Sequence, residues 1–195
     1  AAVAADLIVM GTHRKRLLRD VFIGTTIERV VRTGPYPVLM VNSPAELAYR
    51  TIMAPVDMSE ASAHALKTAD TLGLLRDATV TIAHAFAALA KGQMYVAAVP
   101  VARIREYVAD EQRNVEKEVV AFLGANGFRD PGWPLHVREG GPLEVIPAAI
   151  DLMRPDLIVI GTHGRSTVAR ALVGSVAESL LRTVETDVLA VPPSR

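Results

Sequence analysis

The chain has 195 residues, a formal net charge of zero and no cysteine, and half of its residues are hydrophobic. This composition provides enough apolar residues for a buried core, and it excludes disulfides, Cys-based metal sites and thiol nucleophiles. The neutral balance argues against nucleic acid or an acidic membrane as a general partner, and no apolar run is long enough to span a bilayer. The first residues lack a basic segment typical of a signal peptide, so we expect a cytoplasmic protein.

Residues 1–43 predict a strand, a loop, a helix and a second strand. The apolar run Leu7–Met10 ends at Gly11, which is typical of a buried parallel strand. Gly24-Thr25 then opens a helix with apolar residues at helical spacing, and Val38–Val41 is a short strand. Residues 44–49 form a linker.

Residues 50–195 predict an alternation of five strands with helices. The strands are Thr51–Val56, Thr79–Ala85, Leu135–Arg138, Leu157–Ile160 and Val188–Val191. The helices are Glu60–Leu75 with Ser59 as N-cap, Val101–Leu123, one from Gly140-Gly141-Pro142 to about Met153, and one from Gly174-Ser175. Residues 86–100 are ambiguous between a loop and a broken helix. This order predicts an α/β domain with a five-stranded, parallel, doubly wound sheet.

The first unit repeats near the end of the chain. Ala5–Asn42 aligns without a gap on Pro155–Pro192, and fourteen positions are identical, so one supersecondary unit occurs twice. We therefore expect residues 1–43 to be the C-terminal part of one domain, and residues 50–195 to be a complete second domain. On this interpretation the chain is a fragment of a longer tandem protein, or of one whose beginning is missing.

The candidate binding element is a loop between two glycine turns. After the fourth strand the sequence reads Gly161-Thr162-His163-Gly164, and Gly174-Ser175 follows after nine more residues. Glycines let the backbone approach an oxygen closely, and inward amides and a helix N-terminus favour an anion. Such glycines often only make a turn. Their order after a buried strand, with Asp57 at another strand end, favours the phosphate site, and neither a Walker A loop nor a GxGxxG fingerprint occurs in the sequence.

Other polar residues near this loop give weaker indications. Arg165 either neutralises phosphate charge or is a solvated loop side chain. His163 has no partner carboxylate fixed by local spacing, so we predict no catalytic residue. Asp57 is interpreted as a hydrogen-bond acceptor for a ligand or as a helix cap, and we predict no protein metal site.

Two segments resemble a known family. Gly161-Thr162-His163-Gly164, nine residues and Gly174-Ser175 fit the G-2x-G-9x-G(S/T) nucleotide motif of universal stress proteins. The segment Ala54–Glu60, with the sequence APVDMSE, resembles that family's first-strand end. The resemblance implies a Rossmann-like, adenine nucleotide alpha hydrolase-like fold. In one subgroup it also implies bound ATP, with any Mg²⁺ held mainly by the phosphates.

The resemblance also implies which residues contact the nucleotide. It implies that the phosphates and ribose face Gly161, Gly164, Gly174 and Ser175. It implies that Pro55 and Asp57 line the adenosine, that Ala85 offers its backbone to adenine, that Ile160 packs near the sugar or base, and that Val176 adds an amide to the phosphates.

The first copy departs from the motif because Arg14 stands where the second copy has Gly164. A long side chain there disturbs the approach of phosphate, so we expect no independent nucleotide site in residues 1–42. The open alternative is that Arg14 binds phosphate by charge.

The resemblance also implies dimerisation through the fifth strand. We predict that Val38–Val41 pairs antiparallel with Val188–Val191, forming an internal pseudo-dimer, with a homodimer as the alternative. Three functions follow from these interpretations. They are an ATP-binding regulatory module of the stress response, a scaffold of the same fold without nucleotide, and a slow ATP hydrolase.

Overall fold

A computed structural model of the chain describes residues 5–11, 25–43, 48–129, 131–163 and 173–193. Within these ranges the strands are β1 (Ile8–Gly11), β2 (Val38–Val41), β3 (Thr51–Pro55), β4 (Thr79–Phe86), β5 (Leu135–Glu139), β6 (Leu157–Gly161) and β7 (Asp187–Val191). The helices are α1 (Thr25–Thr33), α2 (Glu60–Thr71), α3 (Lys91–Val96), α4 (Val101–Ala125), α5 (Pro142–Met153) and α6 (Ser175–Thr183). The fold is therefore α/β.

All the strands lie in one sheet of seven strands, in the order β1-β2-β7-β6-β3-β4-β5. The five strands from β7 to β5 run parallel to one another, and β1 is parallel to β2. The contact between β2 and β7 is antiparallel, as the sequence predicted for these segments. The five parallel strands predicted for residues 50–195 are present, but a separate five-stranded sheet is not confirmed, because β7 also pairs with β2 and the sheet has seven strands.

Helices cover both faces of this sheet. On one face α2 and α4 pack on a core that includes Leu66, Val119 and Ile82. On the other face α1, α5 and α6 pack on a second core that includes Ile146, Leu180 and Ile158. Adjacent residues of one strand, such as Ile158 and Val159, contribute to opposite cores because side chains alternate along a strand. The central strands β6 and β7 are consequently apolar at nearly every position, as parallel strands buried on both faces are.

The sequence repeat has a structural counterpart. The bounds of α1 and α6 differ by the same 150 positions that separate the two sequence copies, and β2 and β7 end at matching residues. Leu39 pairs with Leu189, which is its own repeat equivalent, and the flanking pairs are Val38 with Ala190 and Met40 with Val188. This register is unchanged when the two copies are exchanged. The two units are therefore related by a local two-fold axis between β2 and β7.

The buried carboxylate of Asp187 secures this contact. It accepts hydrogen bonds from the backbone N–H groups of Asn42 (2.8 Å) and Ser43 (3.0 Å), and from the hydroxyl of Tyr49 (2.7 Å). Burial and the bond to Asp187 raise the pKa of the Tyr49 phenol, so this hydroxyl remains a donor. The chain that leaves β2 and the chain that enters β3 are thus both attached to the start of β7.

Several element ends differ from the sequence prediction. α2 ends at Thr71 rather than near Leu75, because Gly73 turns the chain with φ of 74°. The ambiguous stretch 86–100 contains the short helix α3, and α4 continues to Ala125. No helix in the ranges that the structure describes combines the length and the apolar character needed to cross a membrane.

Candidate functional site

A cavity of about 250 Å³ opens at the carboxyl ends of β3, β4 and β6. From β3 the chain runs outward to β4 and β5, and it then returns to the other side of β3 as β6 and β7. The cavity thus lies where the strand order reverses, which is the usual ligand position in open α/β sheets. The lining is mostly apolar and consists of Pro55, Val56, Asp57, Ser62, His84, Ala85, Pro142, Ile146, Ile160, Gly161, His163, Gly174, Ser175, Val176 and Ala177.

The structure brings eight of the ten predicted ligand-binding residues together around this cavity. They are Pro55, Asp57, Ala85, Ile160, Gly161, Gly174, Ser175 and Val176. The other two, Gly164 and Arg165, lie outside the described residues, as do Arg14 and Gly24 of the first copy. Residues from four separate elements therefore meet at one point, although they are up to 121 positions apart in sequence.

At the end of β3, Asp57 is held by the first turn of α2. Its Oδ1 accepts hydrogen bonds from the backbone N–H and the hydroxyl of Ser59. Ser59 is in turn the N-cap of α2 and accepts from the N–H of Ser62 (3.3 Å). Asp57 thus stabilises the start of α2 and lies on the cavity wall, and its role as an acceptor for a ligand stays a prediction.

Near the end of β4, the backbone N–H and C=O of Ala85 point to the side on which β3 lies, at a level beyond the last residue of β3, Pro55. Val56 donates its N–H to the carbonyl of Ala83 (2.9 Å), whereas Ile82 donates to Pro134 on the β5 side. Backbone groups of a strand alternate in direction, so those of Ala85 point to the same side as those of Ala83. Since β3 ends at Pro55, the N–H and C=O of Ala85 form an adjacent donor and acceptor at the cavity.

At the end of β6, Gly161 passes close to α2. A Cβ at this position would lie 2.8 Å from the carbonyl oxygen of Ala61 and 2.9 Å from its carbonyl carbon. The sequence interpretation gave Gly161 a role in phosphate approach, and the structure adds a packing requirement that the sequence did not reveal. The loop that follows is closed at its base, because Gly174 donates its N–H to the carbonyl of Thr162 (2.7 Å).

The N-terminus of α6 presents free backbone donors. Gly174 is the N-cap and supplies no side-chain acceptor, and the helix begins at Ser175 as the sequence predicted. The N–H groups of Ser175, Val176 and Ala177 belong to the first turn, which has no intrahelical acceptors, and all three residues line the cavity. This end of the helix favours an anion both by hydrogen bonding and by its dipole.

Seven residues of the lining were not among the predicted ligand-binding residues. They are Val56, Ser62, His84, Pro142, Ile146, His163 and Ala177. After β5, Pro142 at the start of α5 lines the cavity. Among them, His84 bonds the carbonyl of Val56 through its ring nitrogen Nδ1 (2.7 Å). His163 Nδ1 lies 3.0 Å from the hydroxyl of Thr162.

Formal charge is sparse at this cavity. Among its lining residues within the described ranges, Asp57 is the only carboxylate, and no lysine or arginine contributes. The same ranges contain no group of three or more His, Asp or Glu side chains placed to hold a metal ion. The described wall therefore offers an anion mainly backbone donors, together with the Ser175 hydroxyl.

Known proteins resemble this chain in sequence and in fold. A Haemophilus influenzae protein named universal stress protein E homolog is 38% identical over 60 residues, which are 31% of this chain and 19% of that protein. A Staphylococcus aureus protein assigned by name to the same family is 29% identical over 146 residues, covering 74% of this chain and 85% of that protein. The structure of a functionally unknown protein from Pseudomonas aeruginosa PAO1 matches with a TM-score of 0.63 and 27% identity.

The Pseudomonas match covers 96% of this chain but only 63% of that chain, so the present chain corresponds to part of a longer relative. The sequence model of the Universal stress protein family matches residues 1–42 and 48–192. This match takes in both copies of the repeat and every strand of the sheet. The chain belongs to the universal stress protein family.

Proposed function

We propose that this chain binds ATP in the cavity and acts as a nucleotide-dependent regulatory module in the stress response. The observation that carries the proposal is the start of α6, where the first amides line the cavity and no side chain caps them. A phosphate group supplies the acceptors that these donors lack. The motif that includes Gly161, Gly164 and Gly174 supports the same assignment.

The base-recognition part of the proposal rests on Ala85. Its N–H and C=O offer a donor beside an acceptor, and the edge of adenine offers the complementary pair, with a ring nitrogen that accepts and an amino group that donates. Apolar side chains such as Ile160 and Ile146 provide flat contact for the base and the sugar. Adenosine then lies between Pro55, Asp57 and Ala85.

The size of the cavity supports a model in which it holds only the nucleoside part of ATP. Its volume of about 250 Å³ is slightly below the roughly 300–1,000 Å³ of typical small-molecule sites. It therefore suits the nucleoside better than a whole triphosphate. In the proposal the phosphates lie at Gly174, Ser175 and Val176, where Gly164 and Arg165 complete the site. Any Mg²⁺ is held mainly by the phosphates.

We further propose that residues 1–43 are the C-terminal part of a first universal stress domain, followed by the linker 44–49 and the complete domain 50–195. The coincident bounds of α1 and α6 and the symmetric register of β2 with β7 support this division. The β2–β7 contact then acts as an internal pseudo-dimer interface within a longer, cytoplasmic tandem protein.

Titration of the purified chain with ATP, followed by calorimetry, tests the function. The decisive variant is Ser175→Pro, because proline at the first helical position removes one N–H without breaking the helix. We expect ATP affinity to fall at least tenfold, since a hydrogen bond to a charged group contributes about 1.5–3 kcal/mol. Ser175→Ala isolates the contribution of the hydroxyl.

Thr25→Pro is the matched control, because Thr25 begins α1 as Ser175 begins α6. We expect this variant to bind ATP as the unchanged chain does. Equal affinity of Ser175→Pro and the unchanged chain would contradict the phosphate assignment. No affinity in the unchanged chain would favour the scaffold function, and release of labelled phosphate from ATP above a buffer blank would favour the slow hydrolase.

A further inference from the structure

His84 occupies a position on the cavity wall that packing alone does not explain. It lies in β4, its ring is about nine-tenths buried, and it lines the cavity next to Ala85. Its Nδ1 is 2.7 Å from the carbonyl oxygen of Val56, the residue that follows β3. A carbonyl can only accept, so Nδ1 carries the hydrogen, and the tautomer of the neutral ring is fixed.

Val56 is attached to β4 at both of its backbone polar groups. Its N–H donates to Ala83 (2.9 Å), and its carbonyl accepts from His84. The carbonyl has no other hydrogen-bond partner within the described residues. Val56 is buried, so without the histidine donor its carbonyl would lack a hydrogen-bond partner. The peptide would then have to rotate toward another donor or remain unpaired at a cost in free energy. The peptide that joins Val56 to Asp57 is therefore held in one orientation by His84.

The orientation of that peptide determines the position of Asp57. The carboxylate of Asp57 accepts a hydrogen bond from the N–H of Ser59, and the hydroxyl oxygen of Ser59 accepts one from the N–H of Ser62 at the start of α2. Met58, between Asp57 and Ser59, adopts a left-handed backbone with φ of 59°, so the chain turns sharply here, and its side chain packs against the core on the α2 face of the sheet. The bond from His84 is the side-chain link between this turn and the central strand β4, next to the backbone bond from Val56 to Ala83.

We propose that His84 is a positioning residue for nucleotide binding: its Nδ1–H holds the Val56 carbonyl and thereby fixes the carboxylate of Asp57 on the adenosine side of the cavity. The inference rests on the proposed ATP function. It goes beyond that function because it assigns the role to a histidine that needs no contact with the nucleotide. The bond is present in both the neutral and the protonated ring, since Nδ1 carries a hydrogen in both.

Three substitutions separate positioning from packing. In His84→Asn the side-chain amide places an N–H at the same number of bonds from the backbone as Nδ1, whereas His84→Gln places it one bond further out. His84→Leu retains apolar volume and removes the donor. We expect ATP affinity to fall at least tenfold in His84→Leu and His84→Gln, and to stay within threefold of the unchanged chain in His84→Asn. Equal affinities of the Asn and Gln variants would overturn the proposal, even if the Leu variant does not fold.

A double-mutant cycle with Asp57→Ala tests whether His84 acts through Asp57. If it does, His84→Gln lowers ATP affinity less than threefold in the Asp57→Ala background, because the group that it positions is already gone. Additive losses would overturn this route. The cycle uses the same calorimetric titration with ATP.

Hydrogen exchange gives a readout that does not depend on ATP. In His84→Gln we expect the amides of Asp57 and Ser59 to exchange at least tenfold faster than in the unchanged chain, while those of Thr79–Thr81 in the same strand remain unchanged. If the unchanged chain binds no ATP but these amides respond, the proposed function fails and the positioning of Asp57 stands. Unchanged exchange at Asp57 and Ser59 would overturn the positioning itself.

Discussion

The two copies of the repeat have similar sequences but different neighbours. In the C-terminal unit β6 lies between β3 and β7, whereas in the N-terminal unit, within the described parts of the chain, β1 lies at the edge of the sheet and pairs only with β2. The residues Val159 and Val9 occupy equivalent positions, yet they are 1% and 61% exposed. The strand sequence is therefore suited to a central position, and its burial depends on which strand lies beside it.

The two copies of the repeat also differ in the surroundings of their first glycine, Gly161 in one and Gly11 in the other. At Gly161 the backbone of α2 comes so close that a Cβ would meet Ala61, but at Gly11 a Cβ would have no neighbour within 4 Å among the residues that the structure describes. The described N-terminal unit has no equivalent of α2 beside β1. The same residue type thus satisfies a packing requirement in one copy and none in the other.

The largest expected effect tests this difference. We expect Gly161→Ala to lower the free energy of unfolding by about 2 kcal/mol, because the new methyl group requires α2 or β6 to shift. Gly11→Ala, the matched change, should alter it by no more than about 0.5 kcal/mol, since nothing is close enough to clash. Urea unfolding followed by circular dichroism measures both. Equal losses would mean that Gly161 is not restricted by Ala61.

A second comparison concerns the helices of the two units, which carry the same glutamate and arginine. Glu28 of α1 forms an ion pair with Arg182 of α6, and Arg182 Nη2 also lies 2.8 Å from Glu178 Oε1. The two-fold axis predicts an equivalent pair of Arg32 with Glu178, but no such pair occurs among the residues that the structure describes. The symmetry of the strands is therefore not continued by these side chains.

This asymmetry predicts unequal effects of substitution. Glu28→Ala should lower the free energy of unfolding by about 1.5 kcal/mol, because the largely buried Glu28 carboxylate joins α1 to α6 by charged hydrogen bonds. Arg32→Ala should change it by less than about 0.5 kcal/mol, as for an ordinary exposed residue. The same urea titration serves as the measurement. A loss in Arg32→Ala as large as in Glu28→Ala would show that the equivalent pair forms in solution.

Much of this architecture could be predicted from local sequence signals. The sequence identified every strand, mostly from short apolar runs, and the family resemblance predicted the antiparallel contact of Val188–Val191 with Val38–Val41, the matching strand of the repeat. The signals are local because strand apolarity and helix starts depend on neighbours in sequence. The sequence left residues 86–100 open between a loop and a broken helix, because the short helix α3 has no buried residue and so no apolar periodicity.

The site could be predicted only in part, for a related reason. The glycine motif and the strand ends led to Gly161, Gly174 and Asp57, which share a known pattern. His84 lines the same cavity and bonds the carbonyl of Val56, which lies 28 positions earlier in the sequence. No local spacing indicates such a contact. The packing reason for Gly161 likewise depends on Ala61, in a helix that precedes it by about 100 positions.

The smallest expected effect concerns the aspartate before the first strand of each repeat copy, which is Asp156 before β6 and Asp6 before β1. Asp156 Oδ2 accepts hydrogen bonds from the N–H groups of Arg50 (2.9 Å) and Thr51 (3.0 Å), which fixes the start of β3 beside β6. Its equivalent, Asp6, is exposed, and within the described ranges its carboxylate has no such bond. Asp156→Asn should lower the free energy of unfolding by about 1 kcal/mol at pH 7, and Asp6→Asn should leave it unchanged within about 0.3 kcal/mol.

The pH dependence of this effect has a definite sign. The hydrogen bond from the Arg50 N–H, followed by those from Thr51, lowers the pKa of Asp156 below its usual value of 3.8. A lowered pKa in the folded state means that the carboxylate stabilises the fold above that usual value, and that this contribution disappears as the pH falls through the lowered pKa. The difference between Asp156→Asn and the unchanged chain should therefore shrink between pH 7 and about pH 2. A difference that persists undiminished in acid would show that the charge of Asp156 does not stabilise the start of β3, and the contrast with Asp6 would then have a cause other than the backbone hydrogen bonds.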